Sequence, residues 1–282
     1  MRVACRAPPA AAPVLARRPA AASAPARCAA ASTARRARIP APPVAHPTQR
    51  RRRRAFHPSP RAMFTGIVQG TATVTSIDRP SPGTARLALT FPPGALAGVP
   101  LGGSVAIDGT CLTVVAVEGD VARFDVVDET LRVTTLGALA AGATTNYERS
   151  ARVGDEIGGH MVSGHVACTA TVAAVRRADD GNVSVDLALP SLWRRYVLSK
   201  GFVALAGCSL TVGAVTHEGF TVHLIPETLR ATVLGSWAPG DRVNVEVDAG
   251  TQATVDAVER VLEERLEGVV AARVEAALAA RG

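Results

Sequence analysis

The sequence predicts an all-β protein made of two copies of a small closed barrel, followed by one long helix. Three observations lead to this reading. The chain repeats itself at a spacing of 98 residues, each copy carries strand periodicity, and the period becomes helical near the C-terminus.

The duplication comes first, because a missed repeat would misread everything else. Thr71-Ala72-Thr73-Val74 falls on Thr169-Ala170-Thr171-Val172, and Leu112-Thr113-Val114 on Leu210-Thr211-Val212. Glu129-Thr130-Leu131-Arg132 falls on Glu227-Thr228-Leu229-Arg230, and Asn146 and Glu148 on Asn244 and Glu246. The offset never drifts between these anchors. The period is too long for a solenoid, so the unit is a whole domain. The expected boundaries are 63–160 and 161–252, with a terminal helix over 253–282.

Within each copy the periodicity is that of half-buried strands. Ala72 and Val74 alternate with Thr71, Thr73 and Thr75; Val185, Leu187 and Leu189 alternate with Ser184, Asp186 and Ala188. Gly and Pro punctuate at short intervals, as in Pro80-Ser81-Pro82-Gly83. Many short strands in under 100 residues predict a closed barrel, which leaves no exposed edge. From Thr254 to about Ala280 there is no Pro, and Val255, Val258, Leu262, Leu266, Val269 and Val270 recur at helical spacing. An apolar stripe on so long a helix favours packing against its own copies; the alternative is that it lies back on the barrels.

Charge is segregated. Residues 1–62 hold 14 Arg and no Lys, Asp or Glu, leaving 17 basic against 24 acidic residues in the remainder, a net charge of −7. An acidic body excludes a nucleic-acid partner inferred from the overall basic balance. The Arg-, Ala- and Pro-rich leader reads as an organelle transit peptide, in preference to a nucleic-acid patch at Arg50–Arg54 or an over-extended start. Cys111, Cys168 and Cys208 are too few and too scattered for a disulfide framework. No apolar run approaches the roughly 20 residues of a membrane helix, so no membrane partner is expected.

Several motifs carry a resemblance. Met63-Phe64-Thr65-Gly66-Ile67-Val68, Gly109-Thr110-Cys111-Leu112-Thr113-Val114, Asp155-Glu156-Ile157-Gly158-Gly159-His160, Ser163-Gly164-His165-Val166, Lys200-Gly201-Phe202 and Ile225-Pro226-Glu227-Thr228-Leu229 follow one another. In this order they resemble the riboflavin synthase family over essentially everything after residue 62. The resemblance implies two six-stranded Greek-key barrels, a C-terminal helix and a homotrimer. It implies that one 6,7-dimethyl-8-ribityllumazine gives a four-carbon unit to another, yielding riboflavin and a pyrimidinedione. No cofactor or metal is expected, since one substrate is oxidised as the other is reduced; the spacing of His160 and His165 also does not fit a zinc motif. Synthesis of riboflavin in the plastids of plants and algae points the leader to the chloroplast, with the mitochondrion as alternative.

The resemblance also implies substrate contacts. Gly66, Ile67 and Val68, Cys111, Leu112 and Thr113, and Asp125, Val126, Val127, Asp128, Glu129 and Thr130 are expected to line an N-terminal site. Gly164, His165 and Val166, Ser209, Leu210 and Thr211, and His223, Leu224, Ile225, Pro226, Glu227 and Thr228 are expected to line a C-terminal one. Lys200, the only Lys in the chain, is expected to reach in from a helical turn, and Glu129 and Glu227 to hold the ribityl chains. For catalysis, His165 is the proton carrier of choice near neutral pH. Cys111 reads as nucleophile or polar contact, with Ser104, Thr211 and Asp248 as weaker candidates. Against these stand plainer readings: a lone strand Cys is usually a small buried apolar residue, and His160 and His165 can be structural. Because Cys111 faces Ser209 and Ile67 faces His165 in the repeat, the two copies are expected to play unequal roles, with Cys111 and His165 entering each site from different subunits. One departure stands out: the family's Asp before Gly207 is Ala206 here, matched by Asp108 in the first copy. A non-catalytic lumazine carrier with the same duplicated barrel is the alternative function.

Residues 1–62 lack the apolar periodicity needed to join a core. A chain beginning at Met63 is therefore expected to fold and to turn over the lumazine like the full chain; an insoluble or inactive truncation beside an active full chain would refute this.

Overall fold

The structure, a computed structural model, describes residues 62–279; the expected leader lies outside them except for Ala62. The first barrel comprises β1 (Gly70–Ser81), β2 (Thr84–Thr90), β3 (Ser104–Ile107), β4 (Thr110–Glu118), β5 (Val121–Val127) and β6 (Thr144–Arg149). They close in the order β1-β2-β5-β4-β3-β6, all neighbours antiparallel. The second repeats the plan with β7 (Cys168–Arg177), β8 (Val183–Ala188), β9 (Phe202–Leu205), β10 (Cys208–Val215), β11 (Gly219–Leu224) and β12 (Arg242–Val247). The chain leaving β2 crosses the barrel to reach β3, between β4 and β6, which is the Greek-key connection. Short helices α1 (Asp128–Val133) and α3 (Pro226–Ala231) follow β5 and β11, and α2 (Ser191–Arg194) precedes β9.

Side-chain alternation fills the interiors. Ala72 and Val74 are buried while Thr73 and Thr75 are exposed, and Val185 and Leu187 follow the same rule. The register slips between Val74 and Ser76, and at the matched place between Val172 and Ala174. Such bulges bend a strand, which a closed barrel requires. The core of the first barrel gathers on Leu89, Ile107 and Phe124, that of the second on Leu187, Leu205 and Leu224.

The barrels meet along a seam with approximate two-fold symmetry. Asn146 Nδ2 donates to the Ala206 carbonyl and Asn244 Nδ2 to that of Asp108, at 2.9 and 2.8 Å. Their amide oxygens accept from Val233 N and Thr135 N at 2.8 and 2.7 Å. Both asparagines are buried, so these bonds replace water that has no access. The turns Asp108-Gly109 and Ala206-Gly207 have positive φ at all four residues, and a Cβ on Gly109 would lie 2.6 Å from Gly207 N. Only glycine lets the two turns approach so closely.

The terminal helix α4 (Ala249–Ala279) begins four residues before the expected position 253. The reason is its cap: Asp248 Oδ2 accepts from Thr251 N at 2.6 Å and Asp248 O from Gln252 N at 2.9 Å. Over 31 residues it runs about 46 Å. Its first turns are pinned to the second barrel, where Tyr196 Oη donates to Asp256 at 2.5 Å, Arg195 meets Glu259 at 2.8 Å, and Val255 packs on the core. Beyond Glu259 the stripe does not lie back on the barrels: Val261, Leu262, Leu266, Val269 and Val270 are each about half exposed or more.

Asp108 is a buried carboxyl whose one hydrogen bond, on Oδ1, comes from Asn146 N at 2.8 Å. Burial pushes its pKa up to about 7, against a partial pull downward from that bond. A carboxyl raised on folding stabilises at low pH, and the contribution is lost as pH rises from about 4 through about 7. Asp108→Asn keeps an acceptor for Asn146 N and removes the buried charge. It is expected to stabilise the fold increasingly from pH 4 to 7, by on the order of 1–4 kcal/mol at pH 8; denaturant unfolding across that range checks it, and an equal effect at pH 4 and 8 would refute it.

Candidate functional site

The glycine-containing turns before each barrel build the site. Phe64 and Val162 bond reciprocally as an isolated antiparallel bridge, at 2.8 and 3.0 Å. From there the chain runs in opposite directions toward Gly66 and Gly164, and each turn crosses the seam. The Gly66 carbonyl accepts from Ser209 N on β10 at 2.8 Å, and the Gly164 carbonyl accepts from Cys111 N on β4 at 2.9 Å. A Cβ on Gly66 would lie 2.5 Å from Ser209 Cβ, and one on Gly164 would lie 2.5 Å from Cys111 Cβ. Both glycines have positive φ, near 72° and 79°.

This regroups the residues expected from the sequence. Gly66, Ile67 and Val68 sit beside Ser209, Leu210 and Thr211 rather than beside Cys111, while Gly164, His165 and Val166 sit beside Cys111, Leu112 and Thr113. It also corrects the expectation that Cys111 and His165 meet from different subunits. Residue 165 directly follows the glycine bonded to Cys111 in the same chain, because the turn swaps barrels across the seam.

Each half-site has its own chemistry. In the one centred on Cys111, the thiol is half-buried and its pKa is raised by burial, lowered by a hydrogen bond with Ser104, and raised further by the charge of Glu246. A thiol held this way is a neutral polar contact and a poor nucleophile at neutral pH. His165 is exposed beside it, its backbone N–H donating to Ser163 Oγ at 3.2 Å. A cavity of about 750 Å³ opens alongside, walled by Met63, Leu101, Ser104, Ile157 and Met161.

In the half-site centred on Ser209, the hydroxyl lies 2.6 Å from His160 Nδ1. The His160 ring stacks on Phe202, centroids 5.1 Å apart. Burial lowers the His160 pKa against an upward pull from Asp248, which favours the neutral ring. A structural reading of His160 is one that the sequence leaves open; its bond to Ser209 places it in the candidate site. The repeat already held the signal, since the two copies differ at these places: Ala62, Ile67, Ser104 and Cys111 match His160, His165, Phe202 and Ser209.

The strand residues divide by face. Leu112, Val126, Leu210 and Leu224 point into the barrel cores, so any contact they make with a ligand is through the backbone. Thr113, Asp125, Val127, Thr211, His223 and Ile225 are exposed outward. Asp125 is paired with Arg86 at 2.7 Å, and that partner lowers its pKa. Asp128, Glu129, Pro226 and Glu227 open the exposed helices α1 and α3, and the carbonyls of Thr130 and Thr228 accept from Thr134 and Thr232 at 2.6 Å. Glu129 and Glu227, expected to hold ribityl chains, instead face Arg132 and Arg230 three residues on, at 2.5 Å each. These are exposed pairs that cost little to open. Lys200 is exposed in a left-handed turn with φ near 67° and not in the expected helical turn; α2 ends at Arg194. Asp248 is occupied as the α4 cap. Among the described residues no cluster of metal-ligating side chains occurs, and no helix is long and apolar enough to cross a membrane.

The lumazine binding domain family matches residues 65–150 and again residues 163–248. The riboflavin synthase of Escherichia coli strain K12 is 48% identical over 203 residues, covering 72% of this chain and 95% of that protein. That of Chlamydia muridarum is 41% identical, covering 72% and 98%. Among solved structures, LumP complexed with riboflavin aligns with a TM-score of 0.61 at 29% identity, covering 66% of this chain and 99% of LumP. LumP complexed with 6,7-dimethyl-8-(1'-D-ribityl) lumazine gives 0.59 at 28%, with the same coverage.

Gly164→Ala puts a methyl group into Cys111 at a backbone angle that L residues avoid. It is expected to lower stability by roughly 1–3 kcal/mol and to abolish most turnover. Parental melting and turnover in this variant would show that the crossing turn is dispensable.

Proposed function

The chain belongs to the riboflavin synthase family, and from that premise we propose how its two half-sites share the reaction. Two 6,7-dimethyl-8-ribityllumazine molecules are consumed: one gives up a four-carbon unit, the other accepts it, and riboflavin and the pyrimidinedione leave. One lumazine binds at the Cys111 half-site and one at the Ser209 half-site, each held by backbone groups of the crossing turn and by outward residues of the strands beside it. The donor must lose a proton from its C7 methyl, and His165 is the carrier. Cys111, with Ser104 behind it, serves as a neutral polar contact. Ser209, backed by neutral His160, and Thr211 contact the other ring. Holding the rings face to face turns a bimolecular step into a local one.

One observation carries the further step to an assembly. The turns diverge from the Phe64–Val162 bridge, so the two half-sites of one chain lie on opposite runs of an antiparallel pair. A face-to-face encounter then draws the second half-site from another chain, and we infer a homotrimer in which the Cys111 half-site of one subunit meets the Ser209 half-site of its neighbour. The exposed apolar stripe of α4 supports self-association. The Arg-rich leader is proposed to direct the chain to the plastid stroma; imaging residues 1–62 fused to a fluorescent reporter decides between plastid and mitochondrion.

The test uses three variants and the green fluorescence of riboflavin. Cys111→Ala, His165→Ala and Ser209→Ala are each expected to lose most activity. Unfolding and refolding His165→Ala together with Ser209→Ala should restore part of it, because a mixed trimer joins an intact half-site from each chain. A mixture of Cys111→Ala with His165→Ala should stay inactive, since both lesions lie in one half-site. If mixed trimers form and the first mixture stays as inactive as its components, the inter-subunit site is wrong.

A further inference from the structure

Two buried carboxylates take no part in the reaction as described above. Glu148 on β6 and Glu246 on β12 occupy matched positions, 3% and 8% exposed. Glu148 accepts from Thr65 N, Thr65 Oγ1 and Gly66 N at 2.6, 2.8 and 3.1 Å. Glu246 accepts from Ser163 N, Ser163 Oγ and Gly164 N at 2.7, 2.8 and 2.9 Å. Every partner is a donor, which suits an anion. Burial pushes both carboxyls up, and the three donors pull them back.

These bonds land on the crossing turns. The hydroxyl of each turn passes the constraint forward: Ile67 N donates to Thr65 Oγ1 and His165 N to Ser163 Oγ, both at 3.2 Å. The glycine carbonyl passes it across the seam, from Gly164 to Cys111 N and from Gly66 to Ser209 N. Glu246 is thus one hydroxyl from the backbone of His165 and one peptide from Cys111. The titratable groups facing it are His165 in its own barrel and Cys111 on β4. Glu148 holds the same scaffold with Ile67 and Ser209 in those places, and the titratable group it faces is the buried Cys208.

We propose that Glu246 is a positioning residue for the four-carbon transfer, holding the Gly164–His165 turn of the second barrel against Cys111 of the first. Glu148 supplies the matching scaffold at Ser209. The inference rests on the riboflavin synthase reading given above.

The test compares Glu246→Gln with Glu148→Gln in the full chain. Glutamine keeps the size and one acceptor oxygen but loses the charge. Two readouts are followed: kcat and KM for the lumazine, and the pH midpoint of Cys111 alkylation by iodoacetamide, followed by mass spectrometry of its peptide. Glu246→Gln is expected to lower kcat roughly tenfold to a hundredfold with little change in KM. It should also move the Cys111 midpoint to lower pH, because a neighbouring negative charge is gone. Glu148→Gln should leave that midpoint where it is. Loss of fold alone would not move the midpoint for one matched variant and spare the other. Should Glu246→Gln not fold, Ser163→Ala cuts only the hydroxyl link, and it is expected to lower kcat with the midpoint unmoved. Parental kcat in whichever of these two variants folds, or an unmoved midpoint in folded Glu246→Gln, overturns the proposal. If the parent makes no riboflavin, the family reading has failed instead, and the alkylation comparison still reports on Glu246.

Discussion

The seam between the barrels rests on crossing hydrogen bonds that neither barrel can satisfy alone. Asn146 and Asn244 each give an N–H to a turn of the opposite barrel and accept one from the 3-10 segment after its short helix. Removed from water and paired at both nitrogen and oxygen, these amides define one relative placement of the barrels, since any slip would leave buried donors unsatisfied. The glycine turns then cross in register, and the Cys111 and Ser209 half-sites form as a consequence. Glycine at positions 66, 109, 164 and 207 is the steric condition for that contact.

Duplication followed by divergence explains why the seam is symmetric while the chemistry is not. The elements that hold the barrels together are the same in both copies: Asn146 and Asn244, Glu148 and Glu246, the four seam glycines. The residues exposed in the half-sites differ in type. One half-site offers a thiol, a serine and an exposed imidazole; the other offers a serine backed by a buried neutral imidazole on a phenyl ring. A reaction that takes two copies of one molecule and oxidises one at the expense of the other needs such a combination: equivalent binding frames and inequivalent neighbours. Ala206 fits this pattern as well. Where Asp108 holds Asn146 N at the cost of a desolvated carboxyl, Ala206 keeps the same left-handed turn and omits the charge.

Read alone, the sequence determined the class of fold, the repeat and the family, and it supplied the candidate site residues. Strand alternation and a constant 98-residue offset are local and additive signals that survive without coordinates. Helix α4 was legible by its period, though not its start, because the capping role of Asp248 looks in sequence like any other acidic residue. Tertiary structure alone decided which residues meet. Gly66 belongs with Ser209 and Gly164 with Cys111 because a short turn crosses a seam, and sequence spacing carries no information about which barrel a turn lies against. The same limit hid His160, whose partner is 49 residues away, and the anchoring of both turns by Glu148 and Glu246 from over 80 residues away. Contacts of that range are set by how two closed barrels pack, and packing is a property of the assembled surfaces and not of any segment that contributes to them.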